Sequence, residues 1–363
     1  MKKILLALVL TQASVLSVAS ENSTLKSEFQ SAYQAYQSSI NSDDSQLKLR
    51  TAQKAYELGR ELYGDKGINS AKLALNYVVL LHKETEKNNA DEIESFISKT
   101  YKNIYGDNSK ELINLYYTFA KSISWSNSHK RNNYLDQMLI IASSLDESDP
   151  MLAAATRLTT GKEFINLSNK KGKVVIDALD YFSKKFSDDE QRVVEAKFWV
   201  GKYYLMMNKQ RKAISALTSN LPVFEKIKGA NHPLELVTHA FLVQAYENKG
   251  MSDEATKHCK AIGSMKPWDD TQEPSPLYRI NPEYPIEMAA KGKSGFVTLE
   301  FTITDIGTID DIEVLEYKGK SFVKPAKKAL SKWRYAPKFV DGKAIAAKNQ
   351  TVQLDFTISP PTA

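Results

Sequence analysis

Five histidines and one cysteine are the side chains of this 363-residue chain best suited to holding a metal or attacking a bond. The histidines stand at 82, 129, 232, 239 and 258 and show no metal-ligand pairing. Cys259 adjoins His258, but a metal site needs three or four converging ligands. A single cysteine leaves no intramolecular disulfide to form, and its surroundings read as a half-buried helix face. No nucleophile motif and no glycine-rich phosphate loop occurs. The sequence therefore predicts no catalytic residue, no metal, no cofactor and no enzyme activity. The chemistry left to it is recognition by hydrogen bonds and apolar contact. Its clearest carriers are two alternating runs near the C-terminus, 296–303 and 352–358.

The elements around those runs form a coherent module. In the first run Val297, Leu299, Phe301 and Ile303 share one face, while Phe296, Thr298, Glu300 and Thr302 share the other. Asp305, Ile306 and Gly307 make a turn into a return strand over 309–317. Phe322, Ala326, Ala329, Leu330 and Trp333 line one face of a helix whose opposite face carries Lys324, Lys327, Lys328 and Lys332. A solvated face accounts for those lysines. Ahead of the first strand, Tyr284 and Pro285 lead into a short helix over 286–291 that Gly292 can end. Asp341 and Gly342 turn the chain towards the last strand, with Val352, Leu354, Phe356 and Ile358 as its buried row. The expected result is a small α+β domain with a three-stranded antiparallel sheet and helices on one side.

This module resembles the C-terminal domain of the TonB family. The residues that carry the resemblance come in order: Tyr284-Pro285, Gly292 and Gly295 before the first strand, and Asp305 with Gly307. The helix Phe322, Ala326, Ala329 and Trp333 follows, and Tyr335 with Pro337 closes the set. The resemblance implies that the last strand lies at a sheet edge and accepts a short transporter peptide as an added strand, with main-chain hydrogen bonds supplying affinity. It places the peptide site at Arg279, Asn281, Pro282, Tyr284, Pro285, Val352, Gln353, Leu354, Asp355, Phe356, Thr357 and Ile358. Asn281-Pro282 stands where the family usually has Gln-Pro. The implied partner is an outer-membrane TonB-dependent transporter or another TonB-system protein, in siderophore or nutrient uptake. Family members that harness the proton gradient carry a membrane helix with a histidine and a long Pro-rich spacer. This chain shows neither. The alternative reading is a periplasmic scaffold whose module serves protein interaction without a direct part in uptake.

Residues 21–264 are organised differently. Helix-period apolar stripes run through them, and Ser23, Asp65, Asp107 and Asp149 recur every 42 residues, followed by Asp189 and Asn231. All six are residue types that cap helix N-termini. The spacing predicts six helical hairpins forming an α-solenoid, so the fold class is mainly α with the α+β module at its end. Gly201, Tyr204 and Ala213, and then Tyr246, Gly250 and Ala255, stand at tetratricopeptide spacing. The array resembles such repeats, while HEAT-like hairpins stay open for the first four units. The aromatic residues Tyr33, Tyr36, Tyr116, Tyr117, Trp125 and Trp199 are expected in the core. The resemblance implies docking of a further envelope protein.

Residues 265–278, rich in proline and acids, read as a short connector between 21–264 and the module at 279–358, with a tail at 359–363. Lys2, Lys3 and the apolar run behind them make 1–20 an export signal cleaved near Ala19 or Ser20, which places the mature chain in the periplasm. The alternative is an inner-membrane anchor facing the periplasm. A net charge of +6, with acids and bases interspersed, gives no basic stripe for nucleic acid.

Overall fold

The computed structural model describes residues 21–84, 90–124, 126–227, 232–265 and 273–358. The expected signal, Trp125, most of the connector and the tail lie outside the described residues. The chain divides into two compact units, residues 1–156 and 157–363.

The first unit opens with three helical hairpins. They are α1 (Glu21–Ser39) with α2 (Ser45–Tyr63), α3 (Ile68–Glu84) with α4 (Ala90–Tyr105), and α5 (Lys110–Ser122) with α6 (Ser128–Ser144). Their facing sides bury Phe29, Leu73, Val78, Ile97, Leu112, Phe119, Leu135 and Met138. Tyr116 is core, as expected, whereas Tyr33, Tyr36 and Tyr117 are only half-buried, and Tyr33 stacks on the buried Phe29. A polar knot crosses this core. Glu94 on α4 accepts from Tyr134 Oη at 2.7 Å and pairs with Lys130 Nζ at 2.7 Å. It also meets His82 Nε2 at 2.7 Å, and His82 Nδ1 lies 2.7 Å from Ser122 Oγ. Burial pushes the Glu94 carboxyl up, but the His82, Lys130 and Tyr134 hydrogen bonds outweigh it and hold the group below the ordinary range.

Helix α7 (Pro150–Asn166) leads from the first unit into the second and pairs with α8 (Val174–Lys185). Then come α9 (Gln191–Met206), α10 (Gln210–Thr218), the single turn α11 (Leu221–Phe224), α12 (Glu235–Glu247) and α13 (Ser252–Gly263). The six expected hairpins are therefore present. A methyl group on Gly201 would lie 2.5 Å from Leu217, so α9 and α10 touch there, and Ala213 is fully buried in the same contact.

The helix starts differ from expectation. Only Asp149 caps as proposed, accepting from the Leu152 amide at 3.0 Å. Asp65 instead pairs with Arg60, and Ser23 lies inside α1. Asp107 and Asp189 stand two residues and one residue ahead of the true caps, Ser109 and Glu190, whose side chains make the cap bonds. Asn231 is outside the described residues.

The C-terminal module comprises β1 (Ser275–Tyr278), α14 (Ile286–Ala290), β2 (Gly295–Ile303), β3 (Ile309–Lys318), α15 (Val323–Leu330), β4 (Arg334–Ala336), β5 (Lys338–Val340), β6 (Lys343–Ile345) and β7 (Ala347–Phe356). Its main sheet has the antiparallel order β3-β2-β7. Val297, Leu299, Phe301 and Ile303 form the buried face, and Phe322, Ala326, Leu330 and Trp333 cover it. The module does not hang free. The end of the expected connector is strand β1, paired antiparallel with β4. Leu277 and Tyr278 of β1 pack against Val243, Ala255 and Cys259 on α12 and α13. Ile262 and Met265 pack on Ala336.

Candidate edge-strand site

Strand β7 forms the outer margin of the sheet. It pairs with β2 from Gly295 opposite Phe356 to Phe301 opposite Gln350 in one unbroken register, and among the described residues no strand pairs with its other side. In an antiparallel strand the residues not bonded inward turn their N–H and C=O outward. The stretch Gln350–Phe356 therefore presents a straight row of main-chain donors and acceptors. Leu354 and Phe356 point into the core, Val352 is half-buried, and Gln353 and Asp355 are exposed on the other face. The Gln353 amide donates to Asp355 at 2.7 Å. One expected member of the buried row falls short: β7 ends at Phe356, so Ile358, 40% exposed, lies beyond the ladder together with the expected site residue Thr357.

β7 itself slips once, between Gln350 and Ala347, where Asn349 has φ of 56°, and the opposite margin, β3, is interrupted more often. Its register to β2 slips twice, between Thr298 and Leu299 and between Glu300 and Thr302. Asp311 within it has φ of 48°, a left-handed conformation that breaks a ladder. Lys327 reaches across from α15 and donates to the Ile312 carbonyl at 2.9 Å. Asp310, Asp311, Glu313 and Glu316 add like charges. Bulges, charge and a capped carbonyl are the means by which proteins discourage edge pairing. Of the two margins, β7 over Gln350–Phe356 is the less interrupted.

Aromatic packing holds the opening segment of the module beside this margin. The Tyr284 ring meets Phe322 at 5.6 Å and Phe356 at 5.8 Å, and its hydroxyl donates to the Lys293 carbonyl at 2.6 Å. Phe322 and Phe356 stack at 4.4 Å. Pro285 precedes α14, and Pro282 is half-buried while Asn281 is exposed. Trp333 Nε1 donates to the Ile280 carbonyl at 3.0 Å. Arg279 stacks over Trp333 at 4.6 Å and donates to Tyr335 Oη at 3.1 Å, so its side chain is engaged within the module. Of the expected site residues, Tyr284 and Phe356 are thus brought into contact, and Arg279 is bound to a different aromatic pair.

One buried ion pair escaped the sequence reading. Arg334 Nε approaches Glu247 Oε1 on α12 at 2.7 Å, with both side chains under a tenth exposed. Its Nη1 also donates to the Trp333 carbonyl at 2.9 Å. Nearby, the Gly307 turn lies against β4, where Tyr335 N donates to the Gly307 carbonyl at 2.9 Å. With φ of 80° and the Tyr335 carbonyl 2.1 Å from where a methyl group would stand, that turn admits only glycine. Cys259 is wholly buried rather than half-buried, and burial pushes its thiol up to about 12. Among the described residues no three potential ligands are placed to hold a metal. No described helix is long and apolar enough to cross a membrane.

Comparison with known proteins places this module. Residues 280–358 match the family model of the Gram-negative bacterial TonB protein C-terminal region. Protein TonB of Pseudomonas aeruginosa is 42% identical over 84 residues, 23% of this chain. The chain spans 24% of that relative's length. The solution structure of the Pseudomonas aeruginosa TonB C-terminal domain is 36% identical, covering 25% of this chain and 92% of that one at a TM-score of 0.23. The TonB2 protein structure from Vibrio anguillarum is 41% identical, covering 26% and 92% at a TM-score of 0.21.

Proposed function

With a TonB C-terminal domain at residues 280–358 as the premise, we propose that the chain serves TonB-dependent transport by taking a transporter's extended peptide along β7. The observation that carries this reading is the contrast between the sheet's two margins, β7 in unbroken register and unpaired outward over Gln350–Phe356, β3 slipped twice and capped at Ile312. A visiting strand gains main-chain hydrogen bonds along Gln350–Phe356 and side-chain contacts with Gln353 and Asp355, at alternate positions on one face, and with Val352 on the other. Tyr284 meets the end of that strand at Phe356, and Asn281, Pro282 and Pro285 beside it in sequence, with Thr357 and Ile358 after the strand, complete the proposed site. The setting is the periplasm, siderophore or nutrient uptake is the process, and the helical hairpins dock a further envelope protein.

The test is direct binding of a transporter N-terminal peptide to the purified chain. Leu354→Pro removes a ladder donor and should abolish binding. Because that change also disturbs a core residue, the peptide is tested a second time with alternate amides N-methylated. Methylation should weaken binding at least about tenfold, on the order of one or two lost hydrogen bonds. Equal affinity for the plain and methylated peptides would reject strand addition.

A further inference from the structure

The helical hairpins of the second unit hold a half-buried lysine with no carboxylate partner among the described residues. On α9, the Lys202 ammonium lies 4.6 Å from the Trp199 ring centroid and 6.0 Å from that of Phe241 on α12. Its hydrogen-bond partner is neutral, Asn166 Oδ1 on α7 at 2.8 Å. The neighbouring cation, Lys162, also faces Trp199, at 5.6 Å, but it is paired with Glu195. Lys202 is half-buried and makes no ion pair among the described residues. Burial pushes its ammonium below the ordinary range, the sign of a charge not fully compensated.

We propose that Lys202, Asn166 and Trp199 form a binding site for an acidic peptide segment of a partner protein, with a peptide carboxylate against Lys202. The inference deepens the reading of the hairpins as a docking region and rests on it. Three helices from successive hairpins converge on the site, so an extended ligand can lie across them. Lys202 supplies a charge-assisted hydrogen bond, stronger than one between neutral groups. The Asn166 amide, exposed at the end of α7, offers a second donor to the same carboxylate. Glu195, one helical turn before Trp199, repels a carboxylate at Lys162 and directs it to Lys202. Glu195 also borders a cleft of about 650 Å³ whose apolar lining includes Val194, Val223, Ile227 and Leu234. That cleft can take an aliphatic or aromatic side chain of the same segment. A small free anion gains only the first of these contacts.

The probe is a fluorescein-labelled nonapeptide of alternating Phe and Glu, with a Phe and Lys counterpart, titrated against the full chain. Binding of the acidic peptide and not the basic one is expected. Lys202→Met keeps the aliphatic stem over Trp199 and should weaken it at least about tenfold, whereas Lys202→Arg should retain it. Lys202→Met should bind the transporter peptide as the parent chain does, which separates this site from β7. Unchanged affinity in Lys202→Met, or equal binding of the basic peptide, overturns the proposal. So does displacement by inorganic phosphate at the acidic peptide's own concentration. Failure of the transporter peptide alone strikes the β7 reading and leaves this one standing.

Discussion

Arg334 and Glu247 illustrate how much a buried pair depends on both members. Each side chain is under a tenth exposed, and the Arg334 guanidinium has few other acceptors than Glu247 and the Trp333 carbonyl. Removing one charge strands the other in a dry environment, whereas removing both leaves only a packing problem. Arg334→Met alone should therefore destabilise the chain by about 3–5 kcal/mol in urea unfolding, while Glu247→Leu combined with Arg334→Met should come close to the parent. Similar losses in the single and double variants would show that packing, not charge, governs the contact. The His239 and His258 imidazoles, with Nδ1 atoms 2.7 Å apart, raise a second residue-scale question. Both are lowered to about 4, His239 by burial and His258 by burial first and then by His239 itself. Both groups bind protons less readily folded than unfolded. Their contribution is complete above pH 6.5 and is lost as pH falls from 6.5 towards about 4. Thermal melts should show a drop over that window, reduced in His239→Gln/His258→Gln. An equal drop in that variant would assign the acid sensitivity elsewhere.

At the scale of elements, the sheet shows how identity of strand is not identity of role. Both β3 and β7 are margins of the same three-stranded sheet, yet bulges and Lys327 make one of them unfit for pairing. Alternation in the sequence made the strands legible, because a period of two follows from the pleat. The bulges were not legible, since Asp311 in a left-handed conformation leaves no compositional mark. The helical region tells a related story. The 42-residue recurrence is real, and it belongs in part to the turn before each helix rather than to its cap. Tyr63, Gly64 and Asp65 repeat as Tyr105, Gly106 and Asp107, and both glycines have positive φ and donate to the last turn of the preceding helix. An acidic residue just after such a turn looks like a cap, but the first free amides lie two or three residues on, where Ser109 reaches them. Trp199 illustrates the remaining difference. Helical spacing placed it in the core, and it is half-buried because Lys162 and Lys202 occupy its ring rather than apolar neighbours alone.

For the molecule as a whole, the second unit joins two kinds of architecture that the sequence separates. A proline-rich stretch suggested a boundary at 265–278, since such composition makes extended connectors. Strand β1 at its end is extended, but it pairs with β4 and covers α12 and α13. The compact unit accordingly begins within α7 and runs through the module. The long-range partners responsible, Glu247 with Arg334 and Met265 with Ala336, lie far apart in sequence, where local patterns carry no signal. The last helical hairpin should then depend on the module for stability. A chain ending at Met265 leaves Glu247 without its guanidinium and exposes Cys259 and Ile262 on α13 and Met265 just beyond it. Each uncovered apolar side chain forfeits about 1.5–3 kcal/mol of burial, enough for the terminal hairpin to fray. Hydrogen exchange should show α12 and α13 losing protection in the truncated chain while α9 keeps its own. Full protection of both hairpins would mean that the module rests on the array without supporting it, and that the orientation of β7 is free to vary with respect to α12.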